Sequence, residues 1–268
     1  MCDYGRSNYE WLNRGDRVEV PLIRAEKGTR ATGWREALAA LSERLDTGGP
    51  ARAVVSVHLS SEDLGAVRAL VDELGGGEIV YPSRRAPDEV ALKGFRKLVR
   101  RRDLAPNVTG AELMGMNRVG GDDGTGGLDE ISSHTGILLV VGDDLTDQSD
   151  SFGAGASIYV YLGTHPAAGA SHAHFVLPIS TFAEQEGSFT NHEGRVQRFW
   201  PALEAPGAAR PVWLVLRALL AERTGEAPPS QAEAAFEAIP EFRGLSYEAV
   251  GTRGALVADP GRREPTGD

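Results

Sequence analysis

The sequence predicts an α/β fold, parallel-sheet layers with covering helices and a short irregular C-terminal tail. Two observations carry this. From about residue 18 to residue 82, short β-branched runs alternate with amphipathic helical patterns, the signature of a parallel sheet wrapped by its crossovers. Further on, Ile137 to Val141, Ser157 to Leu162 and Phe175 to Leu177 are continuous apolar runs of strand length, as expected of strands buried on both faces. Each of these runs ends in a polar or glycine turn, at Gly142 to Asp144, Gly163 to His165 and Ser180 to Glu184. Parallel strands would bring all three turns to one sheet edge, where open α/β sheets present their ligand crevice.

Taken in order, Val18 to Ile23 reads as a strand that Pro21 confines to an edge. Trp34, Ala37, Leu38, Leu41 and Leu45 share one face of a helix, and Ala53 to Val57 is a compact buried strand. Ser60-Ser-Glu-Asp63 opens a second helix with a capping pattern; Leu64, Val67, Leu70, Val71 and Leu74 line its inner face, and Gly75 to Gly77 end it. Ile79 to Tyr81 gives another strand and Asp88 to Arg101 is expected to be helical, with its basic run Arg96 to Arg102 as a solvated face. Gly120 to Gly127 is a glycine tract with no Lys and no strand directly before it, so it reads as a mobile linker rather than a phosphate cradle. Pro211 to Arg223 carries an apolar stripe, a short helix is expected near Gln231 to Ala238, and the chain after Gly251 is expected to be disordered.

The 268 residues suffice for a sizeable core, and 41% hydrophobic with 25% charged residues is an ordinary globular composition. A net charge of -10 argues against a nucleic-acid partner, since phosphate binding needs clustered cations. No apolar run approaches the roughly 18 to 20 residues of a membrane span, and no basic-then-apolar leader opens the chain. A cytoplasmic protein without direct membrane insertion is therefore expected. The single cysteine allows no internal disulfide.

The most informative stretch runs from Phe175 to Arg198. After Pro178 it becomes polar and glycine-punctuated, with Gly187 and Gly194 bracketing Ser188, Thr190, Asn191, His192 and Glu193. It has no helical period and reads as a loop rich in short hydrogen-bonding side chains. Thr181-Phe-Ala-Glu-Gln-Glu-Gly-Ser-Phe-Thr-Asn-His-Glu-Gly-Arg-Val-Gln-Arg198 resembles the signature of the molybdopterin oxidoreductase superfamily, and in particular of the large iron-sulfur subunit of NADH-quinone oxidoreductase (complex I), called the 75 kDa subunit. Three segments agree in the same order: Cys2-Asp-Tyr-Gly-Arg6 with Tyr9 to Asn13, the Pro-Asn-x-x-Gly-Ala segment around Pro106, Asn107 and Gly110, and the turn Tyr161-Leu-Gly-Thr-His-Pro166. The likeness covers nearly the whole chain up to about Thr224. It implies a Rossmann-like domain over residues 17–224, preceded by a remnant of the cluster-binding subdomain (residues 1–16) and followed by a C-terminal helix and disordered tail (residues 225–268).

By this resemblance Cys2 matches the last of four cluster thiolates. The chain supplies one, so an iron-sulfur cluster would need cysteines from a missing segment or a partner, and the isolated Cys2 reads as a plain terminal thiol. Asp143 and Asp144 sit at a strand end, where turn formation and capping explain them better than a metal or a ribose. His172 and His174 lack a third ligand. His165 and His192 fall at the crevice turns but have no nucleophile partner. The resemblance implies a component like the 75 kDa subunit, placed in the peripheral arm at the inner face of the membrane as a scaffold in electron transfer from NADH to quinone. Its partners would be the other subunits. The alternatives are a formate dehydrogenase-like, pterin-dinucleotide-binding oxidoreductase and a cofactor-free binding module. In the pterin-binding case Thr164, His165, Thr181, Glu184, Thr190, Asn191 and Arg195 would hold cofactor phosphates or pterin edges, with Arg198 adding charge. A molybdenum site is not expected, because the second cysteine that ligates the metal in formate dehydrogenase-like proteins is absent.

Overall fold

A computed structural model describes residues 10–142, 145 and 148–257, with the backbone alone at 96 and 97. In chain order the strands of the main sheet are Leu22–Arg24 (β1), Thr29–Ala31 (β2), Ala51–Val55 (β3) and Gly77–Pro82 (β4), then, after a hairpin of Val90–Leu92 (β5) and Phe95–Arg100 (β6), Asn117–Val119 (β7), Ile137–Val141 (β8), Ile158–Gly163 (β9) and Phe175–Pro178 (β10). Their order is β2-β1-β10-β9-β8-β3-β4-β7. The stretch from β10 to β7 is parallel throughout, and β1 and β2 are added antiparallel.

Period-two alternation divides the strands between two cores, as the pleat requires. Ala53, Val55, Leu139, Val141, Val160 and Leu162 face one side, where the helices Trp34–Leu45 (α1), Ser61–Glu73 (α2) and Val212–Thr224 (α4) cover them; the short helix Val108–Leu113 (α3) lies between the last two in sequence. Val54, Leu138, Val140, Tyr159 and Tyr161 face the other, beneath Leu128, Ile131, Leu145 and Phe152. The helical face expected of α1 is the buried one. At α2 the expected cap is a full capping box, Asp63 N–H donating to Ser60 Oγ at 3.1 Å and Ser60 N–H to Asp63 Oδ2 at 3.2 Å. The C-terminal helices Ala232–Glu237 (α5) and Tyr247–Val250 (α6), with the 3-10 turn Pro240–Phe242 between them, bring Phe236, Phe242 and Tyr247 into the first core, so these segments beyond residue 225 pack with the sheet domain.

Five expectations are corrected. Asp88 to Arg101 is no helix but the β5–β6 hairpin, turning at Gly94 with φ +84°. Ala91, Phe95 and Leu98 do fall at helical spacing, but Gly94 takes a left-handed conformation, which favours glycine and turns the chain back on itself. The strand at Pro21 is not an edge: pairing begins at Leu22, and β2 folds back outside it. Pro21 escapes the ladder by preceding it, its carbonyl accepting Thr32 N–H. The glycine tract is a bonded turn, with Gly121 N–H donating to Thr125 O and Arg85 N–H to Asp122 O. The signature stretch is a β-hairpin, Gly187–Thr190 (β11) with Arg195–Phe199 (β12). Ala255–Leu256 (β13), within the tail expected to be disordered, pairs with β12. Cys2, Asp143 and Asp144 lie outside the described residues. Among the described residues no helix is long and apolar enough to cross a membrane.

Candidate functional site

The three polar turns do share one edge. The parallel registers of β8, β9 and β10 end together at Val141, Gly163 and Pro178, beside the end of β3. The ends of β3 and β8 pack tightly, since Gly142 has φ +102° and a Cβ there would lie 2.4 Å from Ser56 Cβ. Two groups of side chains form on this edge.

The first gathers Thr164, His165, Thr181 and Glu184 beneath the chain entering from residues 10–20. Thr164 Oγ1 and His165 Nδ1 are 2.7 Å apart, and Tyr161 Oη donates to His165 O at 2.8 Å. Asp16 Oδ1 stands 3.9 Å from His165 Nε2, while Val18 N–H donates to Thr164 O. Trp11 meets the His165 ring edge-on at 6.4 Å. Arg17 reaches Glu184 through two bonds of 2.7 and 2.9 Å, and both side chains are buried. Burial alone would raise the Glu184 carboxyl; the Arg17 guanidinium and the Thr181 N–H, donating at 2.8 Å, outweigh it and hold the group below the usual carboxylate range.

The second group docks the signature hairpin on the first turn of α2. Glu62 is fully buried and accepts from Ser188 N–H, Ser188 Oγ and Tyr247 Oη, each at 2.8 Å. Asp63 accepts from Trp213 N–H at 2.9 Å and Gln185 Nε2 at 2.7 Å. Buried Asn107 donates to Leu59 O and accepts Thr190 N–H, both at 2.9 Å. A Cβ at Gly110 would lie 2.2 Å from Asn107 Oδ1, which is the physical reason for a glycine three residues after this asparagine. Asn191 closes the hairpin turn by accepting Glu193 and Arg195 N–H groups on Oδ1, and Arg195 Nη1 donates to Gly254 O at 3.1 Å. Arg198 pairs with Glu186 and lies over Tyr247, 4.2 Å from its centroid, beside a cavity of about 410 Å³ that Trp213 and Glu233 also line.

Thr190, Asn191 and Arg195 thus sit in the second group, not with Thr164 and His165. His192 is exposed at the hairpin turn. His174 accepts Tyr159 N–H on Nδ1 at 2.9 Å, and burial, with Arg44 and Arg24 nearby, lowers its pKa. Among the described residues no three His, Cys, Asp or Glu side chains gather as a metal set. Glu62, Asp63, Arg17 and Tyr247 hold the site together, and of these the sequence pointed only to Asp63 and its neighbour, through the capping pattern at residues 60–63.

Burial pushes Glu62 up to about 7, against the pull of Ser188 and Tyr247. Its unfolded value is near 4.5, so between these pH values the native state holds a proton that the unfolded state has lost. Stability is fully present below the lower value and falls as pH rises through the upper one, by roughly 3 kcal/mol at 1.36 kcal/mol per unit. Urea melts from pH 5 to 8 should show this decline, and Glu62→Gln should flatten it. An equally steep decline in the variant would assign it to another group.

Comparison with known proteins agrees with this architecture. The family model described as Molybdopterin oxidoreductase matches residues 93–222. The F420-dependent formate dehydrogenase 2 subunit alpha of Methanococcus maripaludis is 43% identical over 89 residues, covering 31% of this chain and 13% of that protein. The mitochondrial NADH-ubiquinone oxidoreductase 78 kDa subunit of Candida albicans is 40% identical over 86 residues, 31% of this chain and 11% of that protein. The NADH-ubiquinone oxidoreductase 75 kDa subunit of Reclinomonas americana is 45% identical over 60 residues, 22% of this chain and 9% of that protein. The chain therefore spans a small part of the relatives it matches. Residues 93–222, which hold β7 to β10 and the signature hairpin, match the Molybdopterin oxidoreductase family model.

Proposed function

We propose that this chain is a component of the peripheral arm of an NADH-quinone oxidoreductase, akin to the 75 kDa subunit, held among the other subunits at the inner face of the membrane, and that it acts as scaffold in electron transfer from NADH to quinone. One observation carries the reading: the side chains that would grip a pterin dinucleotide are engaged within the chain. Arg17 is neutralised by Glu184, Arg198 by Glu186, and Arg195 holds Gly254 O. The Thr190 amide and the Asn191 carbonyl serve Asn107 and the hairpin turn. A diphosphate bridge calls for free cations or convergent N–H groups, and this donor set does not fit one. Nor does one cysteine fit a four-thiolate cluster, so Cys2 would complete one only with cysteines from elsewhere.

The likeness to the formate dehydrogenase subunit favours the second reading, a pterin-dinucleotide-binding oxidoreductase. Metal analysis separates the two. Chain purified alone should contain neither molybdenum nor tungsten and no stoichiometric iron, and tagged chain should capture dehydrogenase subunits from its own cells. Stoichiometric molybdenum or tungsten would overturn the scaffold reading in favour of the second.

A further inference from the structure

Among the described residues the β5–β6 hairpin is an arm with exposed apolar side chains. Val90, Leu92, Phe95 and Leu98 are 46%, 50%, 64% and 54% exposed, although large apolar side chains usually find cover. Leu92 pairs with Phe95 across the turn, beyond a shift of register between Ala91 and Leu92. The base is fixed by Arg85–Asp103 and Arg102–Asp122 ion pairs and by Ala86 N–H donating to Arg102 O. The arm is also the basic part of an acidic protein. Residues 84–102 hold eight Lys and Arg against two acidic residues, a net +6, which leaves -16 on the remainder of a chain whose total is -10.

A surface of the opposite character lies on the same edge of the sheet. The arm follows β4 there, and Phe182 follows β10. Phe182, Leu203 and Val20 are 43%, 50% and 42% exposed. Their segments are tied together, because Leu203 N–H donates to Ala183 O, Ala208 N–H to Glu19 O, and Arg17 pairs with Glu184. Exposed Glu10, Glu19 and Glu204 give this apolar patch an acidic surround.

We propose that the arm docks on the Phe182–Leu203 patch of a second copy of this chain. Two complementary surfaces at opposite ends of one edge suit a closed two-fold contact. Turning a second copy about an axis midway between them, edge against edge, sets each arm on the other's patch, so both contacts form at once. An anionic membrane or a nucleic acid would also attract the arm but would repel the -16 remainder, whereas a second copy offers that remainder as the complement. The inference stands apart from the scaffold reading.

Sedimentation equilibrium of the whole chain tests it. The expected result is a dimer with a Kd on the order of micromolar at low salt, weakening at least tenfold at about 1 M salt, where screening acts within ~3 Å. Phe95→Asp and Leu203→Asp, both exposed and so harmless to folding by circular dichroism, should each give monomer. Mixed together they should associate again, because the Phe95→Asp copy keeps its patch and the Leu203→Asp copy keeps its arm. A wild-type monomer at about a hundred times that Kd, a variant that still dimerises, or a mixture that stays monomeric would overturn the proposal. So would a monomer that binds phosphatidylglycerol vesicles through Phe95.

Discussion

Asp63→Ala should lower the unfolding free energy by about 3–5 kcal/mol, with the melting temperature falling by roughly 10 °C or more. The carboxylate is buried and receives Gln185 Nε2, Trp213 N–H and Ser60 N–H at once. Each donor abandoned in a dry site costs about 1–3 kcal/mol, and the sum falls short of additive because neighbours relax. Two of these donors join α2 to distant parts of the chain, the signature segment and the first turn of α4. The same substitution should therefore raise amide exchange in the β11–β12 hairpin, at Ser188 and Thr190, before the sheet opens. Asp63→Asn keeps one acceptor oxygen and sets an amide against the remaining donors, so its loss should be about half as large. A loss below about 1 kcal/mol for the alanine variant would mean that the hairpin docks by packing instead.

Those parts of this protein whose cause is local are legible in its sequence. The runs Ile137–Val141 and Ile158–Gly163 are apolar through and through because their strands are covered on both faces, and α1 shows its buried face because helical period and burial coincide. Thr164, His165, Thr181 and Glu184 are reachable from their places just past strand ends, and the structure brings them together. What stays hidden depends on residues far apart. Ser188 and Thr190 look like loop residues until Glu62 and Asn107, 126 and 83 positions away, satisfy them. Arg17 is one arginine among many until the fold sets it against Glu184, 167 positions on. The β5–β6 hairpin escapes for another reason: Ala91, Phe95 and Leu98 stand at helical spacing, yet Phe95 and Leu98 are exposed, so that spacing records no buried helical face and misleads.

Arg17→Ala should also cost about 3–5 kcal/mol at pH 8, because it strands a buried carboxylate with the Thr181 N–H left to hold it and no opposite charge beside it. Both side chains are about 5% exposed or less, so water screens the pair little. The variant has one escape, which is to protonate Glu184. In the wild type the group is depressed, so its stabilisation is present above the unfolded carboxylate pKa and is lost as pH falls through the folded value. In Arg17→Ala burial acts unopposed by Arg17 and raises the pKa, which reverses the sign: stability of the variant should fall as pH rises. The deficit relative to wild type should thus shrink by about half between pH 8 and pH 5. Adding Glu184→Gln to Arg17→Ala removes the stranded charge and should recover most of the loss at pH 8, despite losing a second native partner. Recovery separates a charge penalty from lost packing of the arginine stem, since packing lost at residue 17 would remain lost in the double variant and at either pH.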